Sequence, residues 1–241
     1  MTNNILFFLT SFIPVFRKTG FSEERNKDIK DLNNRHYQVP PDYYDQGIRH
    51  NVYQKIWHGW RFIKVREILK GIKPKKILDI GCHGGTLTEI VSKNFPQAEV
   101  YAIDISLRAI NYAQKKRPKI HFLVADAKEL PFKDNDFDLV TCSDTFEHLP
   151  NSQKVLAEIR RVLTKDGQVL FIIPTESFLF KLVWLFWINF GPGRVWQETH
   201  IHKFNGHKLD KLLEKSGFKV KARKIINLGM LLLIRAKKIG A

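Results

Sequence analysis

Cysteine is almost absent from this 241-residue chain, which holds only Cys82 and Cys142. Each falls at the end of a short apolar run that reads as a central strand. That excludes a disulfide framework and fits a reducing cytoplasm. A covalent role for Cys142 is conceivable, and a small buried residue at a strand end is the simpler reading. Carboxylates are scarce as well: 24 acidic residues face 40 basic ones, for a formal charge of +16. Such a balance points to an anionic partner or surface, either nucleic acid or an anionic membrane leaflet. The cations are dispersed over Arg61 to Lys76, Lys115 to Lys119 and Lys219 to Lys238, a pattern more typical of a solvated surface than of a binding stripe. Long apolar runs are missing too. The segment Ile5–Phe16 is shorter than the roughly twenty residues a membrane-spanning helix needs. It also lacks the leading positive charge and small-residue cleavage site of a secretory signal. It reads as an interfacial anchor or as an element packed on the domain. No internal repeat is visible.

What the chain does have is the run Lys76–Thr88, KILDIGCHGGTLT. It opens as a short apolar stretch suited to a strand buried on both faces of a parallel sheet. It breaks into glycines and resumes as Leu87-Thr88-Glu89-Ile90-Val91 at helical spacing. Strand, glycine turn and helix make the first half of a nucleotide-binding βαβ unit, in which glycines let the backbone approach a ligand closely. Val100–Ile103 reads as a second strand ending at Asp104, about twenty residues past the glycines, where a carboxylate can accept both ribose hydroxyls. A third strand, Ile120–Val124, ends at Ala125-Asp126-Ala127. A fourth, Phe137–Val140, leads into Cys142-Ser143-Asp144-Thr145-Phe146-Glu147-His148-Leu149-Pro150. The length suits one α/β domain with extensions.

With these four motifs in this order, over residues 75–175, the chain resembles the class I S-adenosylmethionine (SAM) dependent methyltransferases, in the small-molecule branch that includes the quinone methyltransferases. The resemblance implies an α/β fold: a Rossmann-like, doubly wound seven-stranded sheet, mostly parallel with an antiparallel last strand. It implies SAM as cofactor, with Asp79 and Gly81 at its methionine end, His83 and Gly85 in the same turn, Asp104 and Ile105 at the ribose, and Asp126 with Ala127 at the adenine amine. The family's turn usually reads Asp-x-Gly-x-Gly-x-Gly. Here His83 replaces the middle glycine, and its imidazole is expected to face the cofactor. A methyltransferase domain would occupy residues 41–241, preceded over 1–40 by the apolar segment and a flexible link.

The rest of the chain fits around that frame. Residues 17–40 are polar and without pattern, and Pro40-Pro41 closes them. A helical stretch follows from about His50 to Leu69, with Val52, Ile56, Phe62, Val65, Ile68 and Leu69 among its apolar positions. In related methyltransferases the segment before the first strand folds over the cofactor, which makes Tyr44, Trp57, His58 and Arg61 lining candidates. Ser106 is a plausible N-cap for the second crossover helix. Asn151 begins a helix striped by Val155, Leu156, Ile159, Val162 and Leu163; Asp166-Gly167 is expected to end it before a fifth strand at Gln168–Ile173. Asn205–Ser216 reads as the last helix, and Lys219–Ile226 with Met230–Ile234 as the closing strand pair.

Between the fifth strand and the last helix lies an insert of about 175–204, read as a lid. Its stretch from Ser177 to Phe190 would be a helix about 21 Å long, too short to cross a bilayer and apolar almost all round. It is either a core or dimer-interface helix, or a lid dipping into a membrane interface. In the second reading Trp184 and Trp187 sit near headgroup level, Phe178, Leu182 and Leu185 guide an apolar acceptor, and Lys181 snorkels to a phosphate.

Methyl transfer from SAM asks mainly for in-line positioning, because the sulfonium is already an activated leaving group. A hydroxyl acceptor also benefits from a base. His148 is the first candidate; His200 and His202, before the last helix, are the next. Asp144, Glu147 and His148 would share one face if helical and could then hold a divalent metal. Pocket shaping is the favoured role, and no metal requirement is expected. The leading function is SAM-dependent methylation of a small amphipathic or lipid-linked acceptor at a membrane surface. A nucleic-acid methyltransferase is the charge-motivated alternative. It is weakened because Ser143-Asp144-Thr145-Phe146 stands where many amino-directed enzymes carry Asn/Asp-Pro-Pro-Tyr/Phe. A SAM-binding module without catalysis rests on His83 alone. The expected setting is cytoplasmic, with peripheral contact at the inner membrane face.

Overall fold

The computed structural model describes residues 39–175, 177–190 and 206–240. Two helices, α1 (Tyr43–His50) and α2 (Val52–Ile68), precede the sheet. The first winding runs β1 (Lys76–Ile80), α3 (Thr86–Asn94), β2 (Glu99–Asp104), α4 (Leu107–Lys116) and β3 (His121–Val124). The chain then crosses to β4 (Phe137–Ser143), a 3-10 turn at Phe146–His148, α5 (Ser152–Val162) and β5 (Leu163–Pro174). It ends in α6 (Phe178–Phe190), α7 (Gly206–Lys215), β6 (Phe218–Ile226) and β7 (Leu231–Lys238). The seven strands form one sheet in the order β3-β2-β1-β4-β5-β7-β6, with β7 antiparallel to both its neighbours. This is the expected doubly wound Rossmann-like sheet. The strand order reverses beside β1, where such sheets open a ligand crevice at their carboxyl edge.

Alternation along the strands divides the core into two layers. Leu78 and Ile80 of β1, Val140 of β4 and Phe171 of β5 meet Val155, Leu156 and Ile159 of α5 and Leu209 and Leu213 of α7. Ile77, Leu139, Leu170 and Ile172 face the other way, onto Val65 and Ile68 of α2, Val91 of α3, and Ile110 and Ala113 of α4. Truncating a fully buried member such as Leu170 to Ala costs about 2–5 kcal/mol.

Local signals behave as their chemistry requires. Ser106 Oγ accepts the Ala109 amide at 3.2 Å and caps α4, and Asn151 caps α5 from a left-handed φ of 58°. Three boundaries depart from expectation. Helix α2 fills the stretch expected from about His50, but Tyr43–His50, not read as helix, forms α1, and extended Asn51 (φ −120°, ψ 114°) separates the two. Helix α5 stops at Val162, not at Asp166-Gly167. Leu163 completes the apolar stripe from extended backbone, pairing with Phe137, and the residues after it loop out before Gln168 pairs with Leu139. Strand β7 runs on to Lys238 because Ala236 and Lys237 still pair with β5 and β6. Among the described residues, no helix is long and apolar enough to cross a membrane.

Candidate active site

The glycine turn after β1 is built from backbone that side chains resist. Gly81 has φ 73°, and a Cβ there would lie 2.2 Å from the Thr145 side chain. His83 also takes positive φ, 48°, a region that costs a non-glycine residue roughly 1–2 kcal/mol. Its amide answers that by donating to Asp104 Oδ2 at 2.8 Å, and its ring lies edge-on to Tyr44 at 5.7 Å. The substituted position is thus tied to the end of β2. Gly84 is held by the other side of the cleft: an added Cβ would come within 2.1 Å of the Pro41 carbonyl. Gly85, at φ 83°, makes room for the Phe122 ring and begins α3; it supports the turn from outside the cleft.

Three carboxylates stand at successive strand ends. Asp79 is buried, with Thr141 Oγ donating to Oδ1 at 2.6 Å and Thr88 Oγ to Oδ2 at 2.5 Å. Burial dominates these bonds and pushes its carboxyl up to about 6. Asp104 accepts the Ser106 amide on Oδ1 at 2.9 Å as well as His83 on Oδ2. Each oxygen keeps a second lone pair for a ligand. Asp126 accepts the Lys128 amide at 2.8 Å, and Lys128 Nζ stands 3.6 Å from its other oxygen.

Helices α1 and α2 close the cleft. Arg61, buried on α2, bonds Ser143 Oγ and pairs with Asp144. That pair holds Asp144 at φ 45° as the chain leaves β4. Arg61 Nε has no hydrogen-bond partner. His58, one turn earlier, stacks on Phe62 at 6.0 Å; burial and then the Arg61 charge depress its imidazole to about 3, so it is neutral at pH 7. Burial, reinforced by Asp144, pushes the Tyr44 phenol upward. His148 lies buried in the 3-10 turn, its amide donating to Thr145 O at 2.9 Å.

The cleft wall gathers Asp79, Gly81, His83, Asp104, Ile105, Asp126, Ala127 and His148 from the sheet side, with Tyr44, His58 and Arg61 from α1 and α2. Trp57 does not join them; it packs against the core layer under α2. Phe178, Leu182, Trp184 and Trp187 lie on α6 outside the wall. His200, His202 and the segment Ile5–Phe16 lie outside the described residues. Asp144, Glu147 and His148 share no helix: Asp144 turns to Arg61, and the other two follow in the 3-10 turn. Among the described residues no three His, Cys, Asp or Glu side chains are grouped to hold a metal ion. Cys142 is fully buried, and burial holds its thiol well above the usual range, which makes it a core residue rather than a nucleophile. Sequence reasoning missed Lys128, which lines the cleft beside Asp126, and the Asp45 and Arg117 pair that fastens α1, whose partners lie too far apart along the chain to leave a local pattern.

Residues 78–171 match the protein family described as a methyltransferase domain. The chain is 29% identical over 227 residues to a demethylmenaquinone methyltransferase of Lactobacillus johnsonii, covering 84% of this chain and 89% of that protein. It is also 29% identical over 152 residues to a demethylmenaquinone methyltransferase of Thermotoga maritima, covering 60% of this chain and 66% of that one. Its fold is similar to the crystal structure of magnesium protoporphyrin IX methyltransferase from Synechocystis PCC 6803 with bound S-adenosylhomocysteine (SAH), at TM-score 0.65 and 17% identity, covering 87% of this chain and 99% of that one. The motifs, the sheet order and these likenesses agree: residues 78–171 match a methyltransferase domain, and the chain has the fold of the class I SAM-dependent methyltransferases, which it resembles.

Proposed function

We propose that this cleft presents the methyl group of SAM to a small, apolar, lipid-like acceptor, and that the transfer takes place at a membrane surface. SAM supplies a methyl on a sulfonium that needs no further activation. The donor set suits that group. Asp104 offers its free lone pairs to a ribose diol, and Asp126 stands at the next strand end for the adenine amine. Asp79 and Gly81 border the methionine end, and the unpartnered Nε of buried Arg61 suits a carboxylate. Tyr44 and α1 shield the turn from water. His148, on the cleft wall, is the base in this reading and takes the proton of a hydroxyl acceptor.

The observation that carries the acceptor class is α6. It follows β5 directly at the carboxyl edge of the sheet, where the cleft opens, and exposes Phe178, Leu182, Leu185 and Phe186, with Lys181 its only charge. Trp184 is half-buried and stacks on Phe180 at 5.7 Å. Such a surface guides an apolar molecule or meets lipid. The demethylmenaquinone methyltransferases among its relatives support the same class. The test is transfer of a labelled methyl group from SAM to a cell extract, followed by partition between organic and aqueous phases. Label in the organic phase supports the reading; label confined to nucleic acid or protein contradicts it.

A further inference from the structure

Helix α2 buries one face against the domain and leaves an apolar face on its other side exposed. Gln54, His58, Arg61, Val65 and Ile68 recur at helical spacing and are buried against the cleft and sheet. On the opposite face Val52, Tyr53, Ile56, Trp60 and Ile63 recur at the same spacing, and all are exposed, Tyr53 at 81% and Trp60 at 59%. A helix that faces only water carries charge there. Here the charge lies along the rim and has one sign. Arg49, Lys55, Arg66 and Lys70 are exposed. Glu67, the only carboxylate in residues 49–70, is tied to Lys64 at 2.8 Å and Lys224 at 2.5 Å.

The patch continues around the edge of the domain. Asn227 Nδ2 donates to Trp57 O at 3.3 Å. That brings Leu228, 85% exposed at the β6–β7 turn, beside the N-terminal half of α2. The neighbouring Gly229 carbonyl accepts Thr175 Oγ at 2.5 Å, and α6 begins shortly after. The outer face of α2, the Leu228 tip and α6 therefore follow one another along the edge where the cleft opens.

We propose that the outer face of α2, with Leu228, docks on an anionic lipid bilayer and sets the cleft mouth against it. This rests on the lipid-like acceptor reading above. Charge complementarity selects the occupant. An apolar strip with Tyr and Trp and a cationic rim is the pattern of an interfacial helix, whose aromatics sit at headgroup level while Lys and Arg meet lipid phosphates. A second copy would set one positive rim against another. The chain's own segment Ile5–Phe16 carries no carboxylate to answer these cations.

Flotation of the full chain with phosphatidylglycerol-rich and phosphatidylcholine-only vesicles tests the proposal. The wild type is expected to float with the anionic vesicles, less so as salt rises, and little with the zwitterionic ones. Ile56→Ser/Trp60→Ser should lower partitioning at least tenfold while SAH affinity by calorimetry is unchanged. Lys55→Glu/Lys70→Glu, which leaves the apolar strip intact, should do the same. Flotation equal to wild type in both variants overturns the proposal, as does a wild-type dimer that Ile56→Ser/Trp60→Ser dissociates. Labelled-methyl transfer to detergent-dispersed lipid extract separates this from the acceptor reading. Transfer retained with flotation lost supports both, whereas flotation without any lipid-extractable product fails the acceptor reading alone.

Discussion

Arg117 Nη2 stands 2.7 Å from Asp45 Oδ1, joining the residue after α4 to α1 across 72 positions of sequence. The same carboxylate accepts Thr86 Oγ at 2.9 Å and the Tyr112 hydroxyl at 2.8 Å. Arg117 in turn bonds Glu89 at 2.9 Å and the Gly84 carbonyl at 2.7 Å. Burial alone would raise the Asp45 carboxyl, but the bonds from Arg117, Tyr112 and Thr86 outweigh it and hold it below the usual range. This cluster fastens α1, and Tyr44 with it, over the glycine turn. Arg117→Met removes the charged partner of Asp45, one of the two cations on Glu89 and the donor to the Gly84 carbonyl. Denaturant unfolding should show a loss of about 2–4 kcal/mol, with weaker SAH binding.

The same pair predicts an acid limb. A folded-state pKa below the unfolded value of about 3.9 gives a contribution that is complete above that value and is lost as pH falls through the folded pKa. Stability of the wild type should therefore drop more steeply in acid than that of Asp45→Asn. Parallel slopes would show that Asp45 is not the group concerned.

Asp79 has the opposite sign. Its folded pKa is raised to about 6, so its contribution is present below the unfolded value and is lost as pH rises through the folded one. Relative to Asp79→Asn, the wild type should lose on the order of 2–3 kcal/mol as pH rises from acid to neutral. A cationic ligand favours the ionised carboxylate, so wild-type affinity for SAM should weaken below about pH 6, and that of the variant should not.

At Gly84 the backbone leading into α1 lies directly against the glycine turn. Gly84→Ala puts a Cβ within 2.1 Å of Pro41 O, a backbone atom that must move. The expected result is loosened α1, read as faster amide exchange over residues 43–50, with the sheet core unchanged. Exchange equal to wild type would show that the contact gives way elsewhere.

His148→Ala should reduce turnover by about 10²–10⁴-fold if it is the base, while SAH affinity stays within a few-fold. A loss of binding in place of turnover would make His148 part of the cofactor wall.

The sheet was readable because β1, β2 and β4 are buried runs of apolar residues, each followed by a chemically distinct residue at the strand end. Topology then places those strand-end residues along one edge. What stayed hidden is long-range. Nothing local announces that Arg61 will meet Asp144, or Asp45 meet Arg117. The apolar content of α2 was visible, yet Val52 and Ile56 could not be told from Val65 and Ile68, although one pair faces outward and the other the core. Asp166-Gly167 looked like a helix stop because a strand interrupted by an outward loop has no periodic signature. The strain at His83 is equally silent in sequence, since it depends on a carboxylate 21 residues away.

The cleft as a SAM site is tested most directly by calorimetric titration of SAH into wild type and Asp104→Ala. Asp104 holds the His83 and Ser106 amides and is the carboxylate proposed to meet the ribose, so the variant should bind more weakly by about 1–3 kcal/mol. Equal affinity in the two proteins would contradict the placement of the cofactor.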